Sequence, residues 1–325
     1  MSDGRQAGND TAQPTPEDPL GVSEAAATIE RIVENVEQVI VGNHDAIEDI
    51  LIVALARSHL LLEDVPGVGK TMLARAVATS VDCSFKRIQF TPDLLPTDVT
   101  GVNVYNQKHQ TFEFQPGPVF ANVALADEIN RAPPKTQAAL LEAMGERQVT
   151  VDGETRDLPE PFVVIATQND VETGQTYELP LAEVDRFMKK IRLGYPNEAD
   201  ETELLGRVAG DHPIRSLSAV ADAVEVQRAR RTVASVDVRE PVRNYVSRLA
   251  AHTRDHAKLG VSPRGAIALV RASQARAVLT ERSFVTPDDV QSEIESVWAH
   301  RIRSGDRARD GAEVVEAAIE AVPVE

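Results

Sequence analysis

Hydrophobic positions along the chain alternate between helical spacing and short continuous runs. Apolar side chains in residues 25–40 and 47–55 recur three or four positions apart, as on a helix with one buried face. Gly42 lies between these segments and is expected to end the first helix. Five apolar runs follow, separated by stretches of helical spacing: 60–62, 85–90, 123–126, 162–167 and 188–193. This alternation predicts a parallel sheet covered by helices on both faces.

The strand pattern stops near residue 196, and only helical spacing follows. Thr286, Pro287 and Asp288 form a strong helix start, and an apolar face follows them. We therefore predict a three-layer α/β/α core over residues 24–196 and an all-helical domain over residues 197–325. Residues 1–23 precede the first helical pattern and are interpreted as a disordered acidic tail.

Two hairpins are predicted as insertions in the core. Apolar and polar residues alternate with a period of two near residues 101–117 and again near 147–160. Asp152 and Gly153 form a typical turn in the second. On the pattern alone, a functional hairpin and surface decoration are equally favoured.

The first apolar run leads into a candidate phosphate-binding loop. Gly67, Gly69, Lys70 and Thr71 match the second half of the motif G-x-x-x-x-G-K-[ST], whereas Asp64 occupies the position of its first glycine. Glycines let backbone N–H groups curl around phosphate oxygens, while the lysine reaches the β- and γ-phosphates and the threonine binds Mg²⁺. An ordinary strand-to-helix loop is disfavoured by the flanking pattern. The predicted ATP-binding residues are Asp64, Pro66, Gly67, Val68, Gly69, Lys70, Thr71 and Met72.

Polar residues follow two further runs. Asp127 and Glu128 end the third run, which predicts a Mg²⁺ ligand and a general base for the attacking water. Acids in this position can also cap a following helix. Asn169 ends the fourth run, where it could orient the water or contact the γ-phosphate, although a turn asparagine is the simpler interpretation without the other motifs.

Taken together, these segments resemble the MoxR family of AAA+ ATPases. The resemblance covers residues 25 to 305 and rests on five stretches in the family's order and spacing: 62–71, 126–137, 166–169, 181–187 and 262–264. It implies that the loop is a Walker A motif and that Asp127 and Glu128 form Walker B.

The same resemblance assigns three residues to sensing and catalysis. It implies that Asn169 is the sensor-1 residue and that Arg186 is an arginine finger acting on ATP in a neighbouring subunit. Arg264 corresponds to the sensor-2 arginine, with action in its own or a neighbouring subunit left open. Without the family, Arg186 would be interpreted as a surface ion pair with Asp185 or Glu183, and Arg264 as a helix-start residue.

The resemblance also implies a function. Relatives are ATP- and Mg²⁺-dependent and form rings, habitually hexamers, whose hairpins face the pore or a partner. They remodel or chaperone partner proteins, often with a von Willebrand factor A domain protein, in cofactor insertion or complex maturation. Three alternatives remain open: a nucleotide-gated scaffold with little hydrolysis, a metal-chelatase-like motor and a DNA-dependent motor.

Charge and composition indicate which partners, source organism and cellular compartment are favoured. The net charge of −17, from 51 acids and 34 bases, disfavours broad binding to nucleic acids or anionic membranes. Arginine supplies 27 of the bases, which favours either a salt-loving organism or a high-GC genome. Cys83 is the single cysteine, and the sequence begins without a secretory signal pattern, so we expect a cytoplasmic protein without membrane insertion.

Overall fold

A computed structural model describes residues 18–168, 177–208, 213–305 and 310–324. Its strands are β1 (Leu60–Glu63), β2 (Phe85–Gln89), β3 (Gly101–Asn106), β4 (Thr111–Pro116), β5 (Val123–Asp127), β6 (Gln148–Val151), β7 (Glu154–Asp157), β8 (Val163–Gln168) and β9 (Lys189–Ile191). Five of them form a parallel sheet in the order β2-β5-β8-β1-β9. The five predicted runs are therefore the five strands of the central sheet.

Helices cover the sheet and are the main elements of the described C-terminal residues. They are α1 (Val22–Glu37), α2 (His44–Leu55), α3 (Lys70–Ser80), α4 (Pro96–Thr100), α5 (Pro134–Glu146), α6 (Leu181–Val184), α7 (Glu198–Val208), α8 (Ala223–Ser235), α9 (Glu240–His256), α10 (Pro263–Leu279), α11 (Pro287–Trp298) and α12 (Gly311–Ala321). The first helix ends before Gly42, which has a φ of +74° in the loop that follows. The helix expected after Thr286 is α11, and the Asp289 carboxylate in its first turn accepts from the backbone N–H of Thr286 at 2.8 Å and from its hydroxyl at 2.9 Å.

Side chains along each central strand alternate between two hydrophobic cores. Leu60 and Leu62 belong to the core that includes α1, α2 and α3, whereas Leu61 belongs to the core that includes α5. Both faces of the sheet are thus buried, which explains the continuous apolar runs. The observed architecture confirms the predicted three-layer α/β/α fold.

The C-terminal helices share the α1 and α2 core rather than forming a separate one. Buried residues of α8 to α12 belong to the same hydrophobic cluster as those of α1 and α2. Trp298 is fully buried there, and its indole N–H donates to the Gly265 carbonyl at 2.9 Å. The helical part therefore rests on one side of the α/β/α core.

Both predicted insertions are two-stranded antiparallel hairpins, β3–β4 and β6–β7. Tyr105 and Phe112 face one another across the first hairpin, with ring centroids 5.3 Å apart. Both rings are exposed, Phe112 at 72%. Throughout the described ranges, no helix is long and apolar enough to cross a bilayer.

Candidate active site

The loop between β1 and α3 has the backbone that phosphate binding requires. Gly67 and Gly69 have φ values of +89° and +91°, in the left-handed region that favours glycine. A Cβ at either position would meet no atom within 4 Å, so the requirement is conformational and the loop is open. Lys70 begins α3, which directs the partial positive charge of a helix N-terminus to this loop.

Lys70 and Asp64 close the base of the loop. The Lys70 side chain is buried, and its Nζ donates to the Asp64 carbonyl at 2.9 Å. The Asp64 carboxylate accepts backbone N–H bonds from Leu193 at 2.6 Å and Gly194 at 2.8 Å, just after β9. Asp64 therefore fastens the loop to the neighbouring strand, a contribution that a glycine at this position could not make.

The remaining predicted nucleotide-binding residues lie along the same segment. Pro66 is exposed, while Val68, Thr71 and Met72 are half-buried, with Met72 packed against the hydrophobic core. The placement of these residues is compatible with contact to a nucleotide on the loop.

One buried hydroxyl joins the two acids at the end of β5. Thr167 is fully buried on β8, and its Oγ1 donates to Asp127 Oδ1 at 2.6 Å. The same oxygen accepts the backbone N–H of Glu128 at 2.8 Å. Since β8 lies between β1 and β5, Thr167 holds both acids at the edge where the phosphate loop begins. The sequence analysis missed this contribution, because a threonine that ends a buried strand gives no specific signal.

The Glu128 carboxylate is held by two side chains. Its Oε2 accepts from Gln89 Nε2 at 2.6 Å and from Arg131 Nη1 at 2.8 Å. Gln89 is oriented in turn by Arg87, whose Nη2 donates to Gln89 Oε1 at 2.5 Å. Glu128 has a φ of +57°, so its backbone makes a sharp turn directly after β5. Gln89, Arg131 and Arg87 were not predicted from the sequence, and the polar positions of β2 are the signal that could have revealed Gln89 and Arg87.

The donor set at this edge fits Mg²⁺. Asp127 offers a carboxylate, although its Oδ2 also accepts two hydrogen bonds from Arg87, and Thr71 offers a hydroxyl. Mg²⁺ prefers oxygen ligands and usually binds through one or two carboxylates, substrate phosphates and waters. Among the described residues, no group of three or more His, Cys, Asp or Glu side chains could hold a metal. A site that depends on the phosphates of a bound nucleotide is consistent with both observations.

The predicted sensor residue Asn169 lies outside the described residues. The strand that precedes it, β8, ends at Gln168, whose carbonyl accepts the Asp64 N–H at 3.1 Å. The end of β8 thus lies directly beside the start of the phosphate loop.

Arg186 lies at the end of the sheet where its parallel strands begin, whereas Lys70 lies at the end where they finish. It precedes β9, which runs parallel to β1 with Lys189 opposite Leu60, whereas Lys70 follows the end of β1. The four residues of β1 span about 13 Å. Arg186 and the phosphate loop of the same chain therefore face different sides of the molecule.

Arg186 and Arg264 line one cleft of about 670 Å³, hereafter the Arg186 cleft. Arg186 Nη1 donates to the Leu141 carbonyl at 2.5 Å, and the Arg264 side chain is 63% exposed at the start of α10. Among the described residues that line this cleft, none belongs to the loop at 64–72. The structure thus brings the two predicted arginines together, away from their own phosphate loop.

Arg301 joins the helical part to the segment that carries Arg186. It is buried, and it donates Nε to Asp185 Oδ1 at 2.8 Å and Nη2 to the Phe187 carbonyl at 2.6 Å. Burial is the main reason that the pKa of Arg301 is lowered from its ordinary value. Asp185 therefore pairs with Arg301 and, at 3.9 Å, with Arg264, whereas the charge of Arg186 acts on Glu183, the other acid of the ion-pair alternative. Arg301 was missed, although a basic residue directly after an apolar helix face was a visible signal.

Comparisons with known proteins agree with this geometry. Residues 59–189 match the model for the ATPase family associated with various cellular activities (AAA), and residues 249–322 match the AAA lid domain. The chain is 50% identical over 274 residues to the uncharacterized protein YeaC of Bacillus subtilis, covering 84% of this chain and 86% of the relative.

Two further relatives carry functional descriptions. Chaperone MoxR1 of Mycobacterium tuberculosis is 39% identical over 310 residues, covering 91% of this chain and 82% of that protein. A crystal structure of a candidate ATPase from Cytophaga hutchinsonii superposes with a TM-score of 0.88 at 36% identity, covering 94% of this chain and 97% of that one. On this fold, site geometry and similarity, the chain belongs to the MoxR family of AAA+ ATPases.

Proposed function

We propose that this protein hydrolyses ATP with Mg²⁺ and uses the energy to remodel partner proteins. The observation that carries the proposal is the arrangement at one edge of the sheet. There Thr167 holds Asp127 and Glu128 beside the loop that contains Lys70. In-line phosphoryl transfer needs charge neutralisation and an oriented nucleophile, and these residue types supply both.

Each residue of this edge has a distinct task. Lys70 binds the β- and γ-phosphates after it releases the Asp64 carbonyl, to which it donates in this structure. Thr71 and Asp127 would hold Mg²⁺, which would neutralise phosphate charge. Glu128 accepts the proton of the attacking water, for which Oε2 must be released from Gln89 and Arg131. Asn169 orients that water.

The Arg186 cleft supports a site shared between subunits. Because Arg186 and Arg264 lie away from their own loop, they act on ATP bound by a neighbour. A contact between two different faces of identical subunits is head-to-tail, and it closes into a ring when the rotation permits. We propose a hexamer, following the habit of the family.

Exposed aromatic residues support a protein as the substrate. Tyr105 and Phe112 present apolar surface on the β3–β4 hairpin, and apolar surface of this kind commonly marks protein contacts. The net charge of −17 disfavours nucleic acid in that position. A von Willebrand factor A domain protein is the proposed partner, on the basis of the family alone.

The proposal is tested by ATP turnover in Mg²⁺ and high KCl over a series of protein concentrations. Turnover per subunit is expected to rise with concentration, because sites are completed between subunits. The Glu128→Gln variant is expected to bind ATP without hydrolysing it. Folded wild-type protein without turnover at any concentration, alone or with a von Willebrand factor A domain protein, would contradict hydrolysis and favour a nucleotide-gated scaffold. Stimulation by DNA would instead favour a DNA-dependent motor.

A further inference from the structure

Positive charge is also concentrated in a cavity that adjoins the Arg186 cleft, and Arg57, Arg147 and Arg271 line both. Five arginines line a cavity of about 680 Å³, hereafter the arginine pocket: Arg57, Arg147, Arg230, Arg231 and Arg271. Among the described residues that line it, none is an aspartate or a glutamate. Such a cavity is unexpected in a chain with a net charge of −17.

The arginines come from both parts of the fold. Arg57 follows α2 and Arg147 follows α5 in the core, whereas Arg230 and Arg231 lie on α8 and Arg271 lies on α10. Arg147 Nη2 donates to the Arg57 carbonyl at 2.9 Å, which fixes these two residues beside each other. A ligand in the pocket would therefore contact the core and the helical part together.

Arg230 is a deeply buried positive charge in the wall of the pocket. Its side chain is 3% exposed, and its Nε donates to the Ala54 carbonyl at 2.7 Å. Its Nη2 is also buried but has no hydrogen-bond partner among the described residues. Buried polar groups normally have a partner, and a buried guanidinium nitrogen without one is costly.

The surroundings of Arg230 also disfavour its charge. Burial, followed by the positive charges of Arg57 and Arg147, lowers the pKa of Arg230 to about 10. Burial and the charge of Arg57 likewise lower the pKa of Arg147. Glu160 is the acid that acts in the opposite direction on both residues, and it does not line the pocket.

We propose that the arginine pocket binds a small anion with two or more phosphate groups, at a site distinct from the phosphate loop. Guanidinium groups bind phosphate oxygens in pairs, and several of them can share one chain of phosphates. The cavity has the volume of a small-molecule site. An occupied pocket would fasten α8 and α10 to the core next to the cleft that serves the neighbouring subunit.

The test is calorimetric titration of the full chain with inorganic tripolyphosphate in the absence of Mg²⁺. The Lys70→Ala background removes phosphate binding at the loop. Ala234→Glu adds a carboxylate to the pocket from an exposed position that does not line the Arg186 cleft. This change is expected to weaken binding at least about tenfold. Arg231→Gln provides a second variant in case Ala234→Glu fails to fold.

Matched controls distinguish binding in the arginine pocket from nonspecific attraction of the anion to positive charge. Arg228→Gln removes one positive charge from the same helix outside the pocket, and it is expected to change affinity by less than about twofold. Arg186→Ala with Arg264→Ala should retain binding, and single inorganic phosphate should bind at least about tenfold more weakly than tripolyphosphate. The proposal is overturned if tripolyphosphate does not bind, if the pocket variants bind it normally, or if only the Arg186 and Arg264 changes abolish binding.

Discussion

Gln89 Nε2 donates to Glu128 Oε2 at 2.6 Å, so a side chain of the neighbouring strand holds the carboxylate of the proposed general base. This contact joins β2 to the residue after β5. In the proposed mechanism, hydrolysis requires the release of Glu128 from this bond.

Gln89→Ala removes that restraint. We expect ATP turnover without a partner to rise by about two- to fivefold, because Glu128 then has one hydrogen bond fewer to break. Steady-state turnover at saturating ATP measures the change, with Glu128→Gln as the inactive reference. A fall to the level of Glu128→Gln would show that Gln89 assists the chemistry directly.

Asp64→Gly restores the glycine of the common motif, yet we expect it to destabilise this protein. The Leu193 and Gly194 N–H groups lose their carboxylate acceptor, which costs about 2 kcal/mol or more in the free energy of unfolding. Urea denaturation measures the loss. Asp64→Asn keeps one side-chain acceptor oxygen and should be less harmful; equal stability of all three proteins would contradict this structural role.

His59 makes the fold sensitive to acid. It is buried, accepting the Val164 N–H at Nδ1 and bonding the Met144 carbonyl through Nε2. Burial lowers its pKa from 6.5 to about 3. Between these values the unfolded chain binds a proton that the folded chain does not, so stability is lost as the pH falls.

The loss attributable to His59 is up to about 1.4 kcal/mol per pH unit. His59→Gln offers similar hydrogen-bonding groups without a titrating ring, and it should remove this contribution from the pH dependence of urea denaturation. The pKa of His300 is also lowered by burial, so some dependence remains in the variant. Identical pH profiles for the variant and the wild type would contradict the prediction.

Lys189 joins the core to the helical part through buried charge. Its side chain is 1% exposed and forms ion pairs with Asp49 of α2 and Glu293 of α11. Lys189→Met leaves these carboxylates without this cation, and we expect a loss of about 3–5 kcal/mol in the free energy of unfolding.

The matched control is Lys190→Met, which removes the neighbouring lysine. Lys190 pairs with Glu63 and is 27% exposed, so its loss should cost about 0–1 kcal/mol. Thermal or urea unfolding of both variants measures the difference. Equal losses would show that burial does not decide the contribution of these ion pairs.

The layers of the fold could be predicted because strands that are buried on both sides of a sheet appear in the sequence as continuous apolar runs. The run at 123–126 is apolar since its residues alternate between two cores. Lys70 and Glu128 could be identified for a different reason, since the chemistry proposed for them requires particular residue types at fixed spacing. No local sequence pattern indicates the order of the strands in the sheet, because that order depends on contacts between segments far apart in the chain.

The residues that position the site were the least visible. Thr167 and Gln89 act through single hydrogen bonds across neighbouring strands, and many side chains could occupy such positions without altering the apolar pattern. Asp64 appeared to be a defect of the motif because the N–H groups that donate to its carboxylate lie far along the chain, after β9. Contacts of this kind follow from the tertiary structure, not from local spacing.

The separation of Lys70 and Arg186 also has a genetic consequence under the proposed mechanism. Each chain contributes one half-site to the neighbour before it and the other half-site to the neighbour after it. A Lys70→Ala allele and an Arg186→Ala allele, each inactive alone, would therefore complement one another when co-expressed. At some interfaces the intact loop of an Arg186→Ala chain meets the intact Arg186 of a Lys70→Ala chain. Either allele co-expressed with the wild type would be dominant, because each mutant chain inactivates a site that it shares with a wild-type neighbour.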